Sequence, residues 1–183
     1  MIISDVPGNH LPDIGSGLTV EDPTSYREAV EIMKRHDQWR EAPPRVREHL
    51  RKGVRGAISE NPKPGSPSFQ RVHNIIIADN KDACKAAERS LAERKVPCTI
   101  LSTSAELEAR DMGKLLATLA AKPKHSSRIP VPRGAILIGG ECSVRVTRKG
   151  EGGRNQVVAL SAVEEIEGLE GTVIAALDSD GID

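Results

Sequence analysis

The sequence of residues 73–101 is HNIIIADNKDACKAAERSLAERKVPCTIL, and this stretch decides the fold class. A short apolar run from His73 to Ala78 is followed by a helix-length segment, Lys81 to Lys95, and by a second apolar run, Cys98 to Leu101. Apolar runs of this length predict buried strands. The helix between them allows the two strands to pair in parallel, so we predict an α/β fold.

The sequence before this unit predicts one further strand and two helices. Ile2-Ile3 is apolar and leads into a turn sequence, which indicates the end of a buried strand. Ser25 and Glu28 have capping-box spacing at the start of a predicted helix. A second helix is predicted from Pro44 to Lys52, with Gly53 as its C-terminal stop.

The sequence after this unit predicts another helix and then a second domain. Thr103 and Glu106 again have capping-box spacing. Residues 122–133, KPKHSSRIPVPR, have the polar, Pro-rich composition of a linker. The predicted elements beyond them are strands at Gly134 to Ile138, Ser143 to Thr147 and Thr172 to Leu177, and a helix from Asn155 to Glu167. We therefore predict domains at 1–121 and 134–183.

The composition excludes several classes of protein. The chain has 183 residues, with 26 Lys and Arg against 26 Asp and Glu, so bulk charge does not favour nucleic acid or an anionic membrane as a partner. No apolar run is long enough for a transmembrane helix. Cys84, Cys98 and Cys142 are scattered without CxxC spacing, which favours a reduced, cytoplasmic compartment.

Two glycine-bearing or polar loops follow predicted strands in the first part of the chain. Asp5 stands at a strand end, and the turn Gly15 to Thr19 contains a Gly-Ser-Gly sequence whose amides could approach a phosphate. Asn80 follows the His73 to Ala78 strand, where it could cap the next helix or face an anion. An ordinary turn and a simple cap are the alternatives for these loops.

A third glycine-rich region has the strongest pattern. Gly139-Gly140-Glu141 follows a strand, and Gly152-Gly153-Arg154-Asn155 leads into a helix. Glycines permit close backbone approach, and an arginine offers two parallel hydrogen bonds to a carboxylate or phosphate. The pattern is neither a P-loop nor a GxGxxG dinucleotide motif. Asp178-Ser179-Asp180 adds carboxylates at another strand end, with a plain turn as the alternative.

Taken together, a collinear series of motifs resembles class II glycerate kinases, the glycerate 2-kinase family with a MOFRL-type C-terminal domain. The motifs are ISDVPG (3–8), the SG-x-T turn with DPT (16–24), NPKPGSPSF (61–69), IADN (77–80), GGE (139–141), GEGGRNQ (150–156) and DSDGID (178–183). The resemblance implies a Rossmann-like, mostly parallel sheet followed by part of a smaller α/β, MOFRL-like domain. It also implies ATP-dependent phosphorylation of D-glycerate to 2-phosphoglycerate, with ATP and Mg²⁺ as cofactors.

The resemblance also implies roles for particular residues. Arg154 and Asp5 would be catalytic, and Glu141 and Asp180 would lie near Mg²⁺. Residues expected to bind substrate or phosphate are Ser16, Gly17, Thr19, Asn80, Gly139, Gly140, Gly152, Gly153 and Asn155. An NAD(P)-dependent hydroxypyruvate reductase and a non-catalytic binding module are the alternative functions.

The chain departs from the family pattern in length and at single positions. Family members carry a substantial portion before ISDVPG and continue past DGID, so we expect this chain to be an internal fragment with exposed strand edges and a tendency to form homo-oligomers. Val157 stands where the family usually has Glu, and Leu18 where it commonly has Pro.

Overall fold

The computed structural model describes residues 1–121, 134–146, 150, 152–179 and 181. The strands and α-helices in chain order are β1 (Ile2–Ser4), α1 (Tyr26–Arg35), α2 (Pro44–Val54), β2 (Ile76–Asp79), α3 (Asn80–Glu93), β3 (Cys98–Ala105), α4 (Ala109–Ala121), β4 (Ala135–Gly140) and α5 (Arg154–Ile166). Strands and helices alternate from β2 to α5, which confirms the α/β prediction. None of the described helices is long and apolar enough to cross a membrane.

The chain divides into two compact units. Met1–His10 and Ile75–Asp183 form the first unit, and Leu11–Asn74 forms the second. The predicted linker, 122–133, lies outside the described residues, so the division into domains at 1–121 and 134–183 stays a prediction.

The strands of the first unit form two parallel pairs. β1 pairs with β2, with Ser4 opposite Asp79, and β3 pairs with β4, with Cys98 opposite Ala135. The prediction that β2 and β3 pair with each other was wrong within the described ladders. Local sequence predicts a strand, but its hydrogen-bond partner comes from distant residues: the start of the chain for β2 and residues 135–140 for β3.

Glycines allow the β4 backbone to approach its neighbours. Gly140 has φ +152° and lies opposite Ala105, where an added Cβ would be 2.1 Å from the Ala105 carbonyl oxygen. A Cβ on Gly139 would be 2.6 Å from Cys84 Sγ of α3. Close packing therefore explains both glycines without a ligand.

The core of the first unit lies between α4 and α5. Ala109, Met112 and Val158 are buried there, with Ile138 of β4 packed against them. Gly113 allows the two helices to approach closely, because a Cβ on it would be 2.3 Å from the Val158 carbonyl oxygen. This packing fixes the start of α5 relative to the end of β4.

Two helix boundaries differ from those predicted. Thr103 lies within β3, and the next helix begins only at Ala109. Pairing with β4 as far as Ala105 keeps this segment extended and overrides the capping-box spacing of Thr103 and Glu106. Gly53 lies inside α2 and is buried against the Tyr26 ring. A Cβ there would be 2.1 Å from that ring, so the position requires glycine.

Three strand predictions also need correction. Ile3 is 75% exposed rather than buried. Of the predicted strand from Ser143 to Thr147, Ser143 forms an isolated bridge with Glu108, and residues 144–146 are not in a strand, while Thr147 lies outside the described residues. Thr172 to Leu177 is irregular and has no ladder partner among the described residues, so its apolar sequence alone does not make it a strand.

The second unit contains the α1–α2 pair. Ser25 caps α1 by accepting a hydrogen bond from the Glu28 amide, as predicted. Asp22 accepts hydrogen bonds from the Thr24 hydroxyl at 2.6 Å and from Asn61 Nδ2 at 2.8 Å. These bonds join two of the quoted motifs, DPT and NPKP, and therefore give both a structural role.

Candidate active site

The first unit contains a cavity of about 460 Å³ beside β4. Its walls are mostly apolar side chains of α3, β4, α4 and α5, including Ala83, Cys84, Met112, Ile136, Ile138 and Val158. The polar residues that line it are Asn80, Glu141, Arg154, Asn155, Asp178 and Ser179. An apolar chamber with a few polar groups is typical of small-molecule sites.

Six of the site residues predicted from sequence line this cavity. They are Asn80, Gly139, Gly140, Glu141, Arg154 and Asn155. They come from the start of α3, the end of β4 and the start of α5, which meet because strand ends and helix starts share one edge of an α/β sheet. Their roles in binding stay predictions.

The start of α5 has the features of an anion site. Gly153 is the N-cap and supplies no side-chain hydrogen bond to the helix, and Gly152 has φ +129°. The first amides of α5 therefore receive no capping bond from Gly153, and the helix dipole places partial positive charge there. The helix begins at Arg154, one residue before the predicted start at Asn155.

Arg154 and Glu141 form an ion pair across this region. Arg154 Nη1 donates to Glu141 Oε1, and the two side chains are 33% and 35% exposed. At this exposure solvent screens the pair, which contributes at most about 1 kcal/mol to stability. The guanidinium has five N–H donors, and the contact with Glu141 uses Nη1 alone, so its fork can still serve an anion.

Asp5 does not line the cavity but is connected to it by Asn80. Asn80 Nδ2 donates to the Asp5 carbonyl oxygen at 2.8 Å. Asn80 is not the helix cap: Asp79 caps α3, in a reciprocal capping box with Asp82. Sequence reasoning missed this cap, although the spacing of Asp79 and Asp82 resembles a capping box.

Asp79 also receives a hydrogen bond from outside its own helix. Asn9 Nδ2 donates to Asp79 Oδ2 at 2.7 Å. The Asp82 amide, followed by the Asn9 side chain, holds the pKa of Asp79 below its usual value. The carboxylate therefore stays ionised and holds the loop after β1.

The Gly-Ser-Gly turn belongs to the second unit. Gly15, Ser16 and Gly17 all have positive φ, and a Cβ on Gly17 would be 2.8 Å from the Pro12 carbonyl oxygen. Thr19 Oγ1 donates to Asn74 Oδ1 at 2.6 Å. A tight turn explains these residues structurally, and their predicted contact with phosphate stays a prediction.

Of the two predicted metal ligands, only Glu141 lies in the described part of the chain, so their pairing stays a prediction. Asp180 lies outside the described residues, and Glu141 is paired with Arg154. The described residues contain no group of three or more His, Cys, Asp or Glu side chains that could hold a metal ion.

Cys142 also lines the cavity, but its thiol is not activated. Burial, with a smaller effect of the Glu108 charge, raises the pKa of Cys142. A raised pKa disfavours the reactive thiolate, so we assign Cys142 to packing.

Two family models match the two ends of the chain. Residues 1–51 match a domain of unknown function, DUF4147, and residues 134–183 match the MOFRL family. The second match contains β4, Glu141 and Arg154, and the first contains β1 and Asp5.

Similar proteins cover the whole chain. It is 38% identical to a glycerate 2-kinase of Pyrococcus horikoshii and 30% identical to a D-glycerate 2-kinase of Thermotoga maritima, over 100% of this chain and 41% of each relative. A third relative, from Agrobacterium vitis, has a provisional name as hydroxypyruvate reductase and is 33% identical over 100% of this chain and 40% of its own length. The chain thus spans about two fifths of the length of these relatives.

Solved structures agree with the sequence matches. A crystal structure of the Thermotoga maritima glycerate kinase matches with a TM-score of 0.65 at 30% identity, covering 92% of this chain and 38% of that one. A Pyrococcus horikoshii protein matches with a TM-score of 0.55 at 37% identity, covering 90% of this chain and 37% of that one. Over the length that it spans, the chain is therefore similar to glycerate 2-kinases, and its two ends match DUF4147 and the MOFRL family.

Proposed function

We propose that this chain supplies the anion-binding part of a glycerate 2-kinase, which phosphorylates D-glycerate to 2-phosphoglycerate with ATP. One observation carries the proposal: Arg154, in the first turn of α5 after its N-cap Gly153, lies with Glu141 at the polar part of a cavity of about 460 Å³. The names of the relatives support the reaction, and the geometry supports an anionic substrate.

The proposed chemistry is positioning and charge neutralisation. Phosphoryl transfer spreads negative charge over the transferred group, so its catalysts hold the reactants in place and stabilise that charge. Arg154 would bind a carboxylate or phosphoryl oxygen with its guanidinium, and the amides at the start of α5 would face the same anion. Asp5 would act near the acceptor hydroxyl, from the loop that Asn80 holds.

Mg²⁺ and ATP are proposed as cofactors, with the metal bound mainly through nucleotide phosphates. Mg²⁺ commonly takes only one or two protein carboxylates in such sites. Glu141 and Asp178 line the cavity and suit this chemistry, although Glu141 is shared with Arg154. When bound, Mg²⁺ would offset phosphate charge.

The proposed partners are therefore D-glycerate and a nucleotide, without nucleic acid or a membrane. We also propose a cytoplasmic location, on the basis of the scattered cysteines, and self-association as a homo-oligomer.

The test compares the chain alone with a chimaera that joins it to the unmatched part of the Pyrococcus horikoshii relative. ADP release is measured with D-glycerate, ATP and Mg²⁺, and the unmatched part alone is the control. Because this chain spans two fifths of the relatives, we expect the chimaera to turn over and the chain alone to remain well below about 1 s⁻¹.

Other outcomes favour the alternatives. NADH consumption with hydroxypyruvate, without ADP release, would support the reductase. Binding of D-glycerate without turnover in the chimaera would support a non-catalytic module.

A further inference from the structure

The two residues at the junction of β2 and α3 both bind the loop that follows β1. Asp79 accepts from Asn9 at 2.7 Å, and Asn80 donates to the Asp5 carbonyl oxygen at 2.8 Å. Both bonds are partly buried and join residues at least 70 positions apart. The loop from Asp5 to Asn9 is therefore held at both ends by consecutive side chains.

The loop depends on these contacts because its own backbone is irregular. Gly8 has φ +75° and Asn9 has φ +55°, so the short helical turn Pro7–Asn9 is not continuous. The Asn9 amide donates to the Val6 carbonyl oxygen at 3.0 Å, which is a turn bond within the loop itself. Side-chain bonds from the β2–α3 junction therefore help to fix the loop to the rest of the unit, together with its contacts to β3.

Asp79 and Asn80 have different roles. Asp79 caps α3 in a capping box with Asp82, whereas Asn80 lies in the first turn and is not the cap. Asn80 also lines the cavity that contains Glu141 and Arg154. Asn80 therefore lines the cavity and binds the Asp5 backbone through its side-chain amide.

We infer that Asn80 is a positioning residue that holds Asp5 beside the cavity through its side-chain amide. The consequence for catalysis rests on the proposed function, in which Asp5 acts on the acceptor. The hydrogen bond to the loop is independent of that function, because loss of the amide donor releases the loop whether or not the protein is a kinase.

Hydrogen exchange of the whole chain tests the structural part. Asn80→Asp keeps the shape but replaces the amide donor by a carboxylate, and Asn80→Gln keeps a donor. We expect the amides of residues 5, 6, 8 and 9 to exchange about tenfold faster in Asn80→Asp and much less so in Asn80→Gln, because one partly buried hydrogen bond is lost only in the first.

Asn74→Asp is the matched control, because Asn74 Nδ2 also donates to a backbone carbonyl, that of Thr19, at 3.0 Å in the second unit. It should leave exchange at residues 5–9 unchanged. Equal exchange in the wild type and Asn80→Asp overturns the inference, and so does an equal increase in Asn80→Gln. If Asn80→Asp does not fold, Asn80→Ala replaces it in the same comparison.

Kinetics of the chimaera test the catalytic part. Asn80→Asp should lower kcat/KM for D-glycerate about tenfold, and Asn80→Gln should recover most of this loss. A chimaera without any kinase activity contradicts the proposed function, while the exchange experiment still decides whether Asn80 holds the loop.

Discussion

The Arg154 guanidinium donates to the Glu141 carboxylate and so joins the first turn of α5 to the end of β4. The pair is one third exposed, so it orients the guanidinium more than it stabilises the fold. An arginine held in this way has less conformational freedom to lose when it binds an anion. We therefore place Arg154 at the centre of the proposed site.

Replacing Arg154 by Lys should separate binding from stability. In the chimaera, Arg154→Lys is expected to lower kcat/KM for D-glycerate about a hundredfold, or about 2.7 kcal/mol, because an ammonium cannot make two parallel hydrogen bonds. The Tm should hardly change, since a lysine can still pair with Glu141. Steady-state kinetics and thermal unfolding measure the two effects.

Glu141→Gln is the companion variant. It removes the charge of the pair and keeps a hydrogen-bond acceptor, so we expect a smaller loss of kcat/KM than in Arg154→Lys. If Arg154→Lys loses stability and keeps its kinetics, Arg154 serves the fold and the anion site lies elsewhere.

Substitution of Gly140 should destabilise the fold, because its backbone packs closely against β3 whether or not it also contacts a ligand. In Gly140→Ala, the new Cβ would be 2.1 Å from the Ala105 carbonyl oxygen, at a φ of +152°. We expect a loss of about 3 kcal/mol in the free energy of unfolding, because the backbone of β3 or β4 must move. Urea denaturation measures this loss.

Gly150→Ala is the matched control, since no atom of the described residues lies within 4 Å of an added Cβ there. It should change the free energy of unfolding by less than about 0.5 kcal/mol. Similar small effects in both variants would show that β3 and β4 do not pack as closely as the structure indicates.

Helix starts could be predicted from sequence where a side chain of the same segment satisfies the first amides. Ser25 and Glu28 illustrate this for α1. The same spacing at Thr103 and Glu106 predicted a helix wrongly, because pairing of β3 with β4 is stronger than the local signal. Gly53 was also misassigned, since only contact with a distant aromatic ring explains it.

The site was predictable in part for a related reason. Arg154 and Glu141 follow consecutive glycines at strand and helix ends, so their proximity follows from the α/β pattern. The bond between Asn80 and Asp5 spans 75 positions and has no local signal. The sequence also does not show that Glu141, predicted to lie near a metal ion, forms an ion pair with Arg154.

Asp22 should make the second unit sensitive to acid. Hydrogen bonds from the Thr24 side chain, Asn61 and the Thr24 amide lower the pKa of Asp22 to about 2. The ordinary value is about 3.9, so the folded state prefers the ionised form. This contribution to stability is present above about pH 4 and is lost as the pH falls towards 2.

The corresponding measurement is thermal unfolding between pH 2 and pH 7. Asp22→Asn should lower the Tm at pH 7, and its difference from the wild type should shrink between pH 4 and pH 2. Asp37→Asn, a carboxylate just beyond α1, is the control and should show no such convergence. If the Tm difference between Asp22→Asn and the wild type is constant with pH, the hydrogen bonds do not favour the ionised form of Asp22.

The last prediction concerns Ile3, Ile75 and Ile77 in and beside the β1–β2 pair, which we call the exposed isoleucines. Their exposed fractions are 75%, 56% and 52%. Parallel sheets are normally covered on both faces, so exposed apolar side chains on such a strand pair favour self-association. We expect light scattering of the chain alone to show a mass that rises with concentration.

Ile77→Lys should reduce this association, because a charge among the exposed isoleucines must be desolvated on contact. The matched control is Leu18→Lys, which changes a leucine that is 86% exposed in the second unit. If the wild type stays monomeric at high concentration, the exposed isoleucines do not drive association. If both variants reduce association equally, the effect comes from net charge, since each adds one positive charge to a chain whose formal net charge is zero.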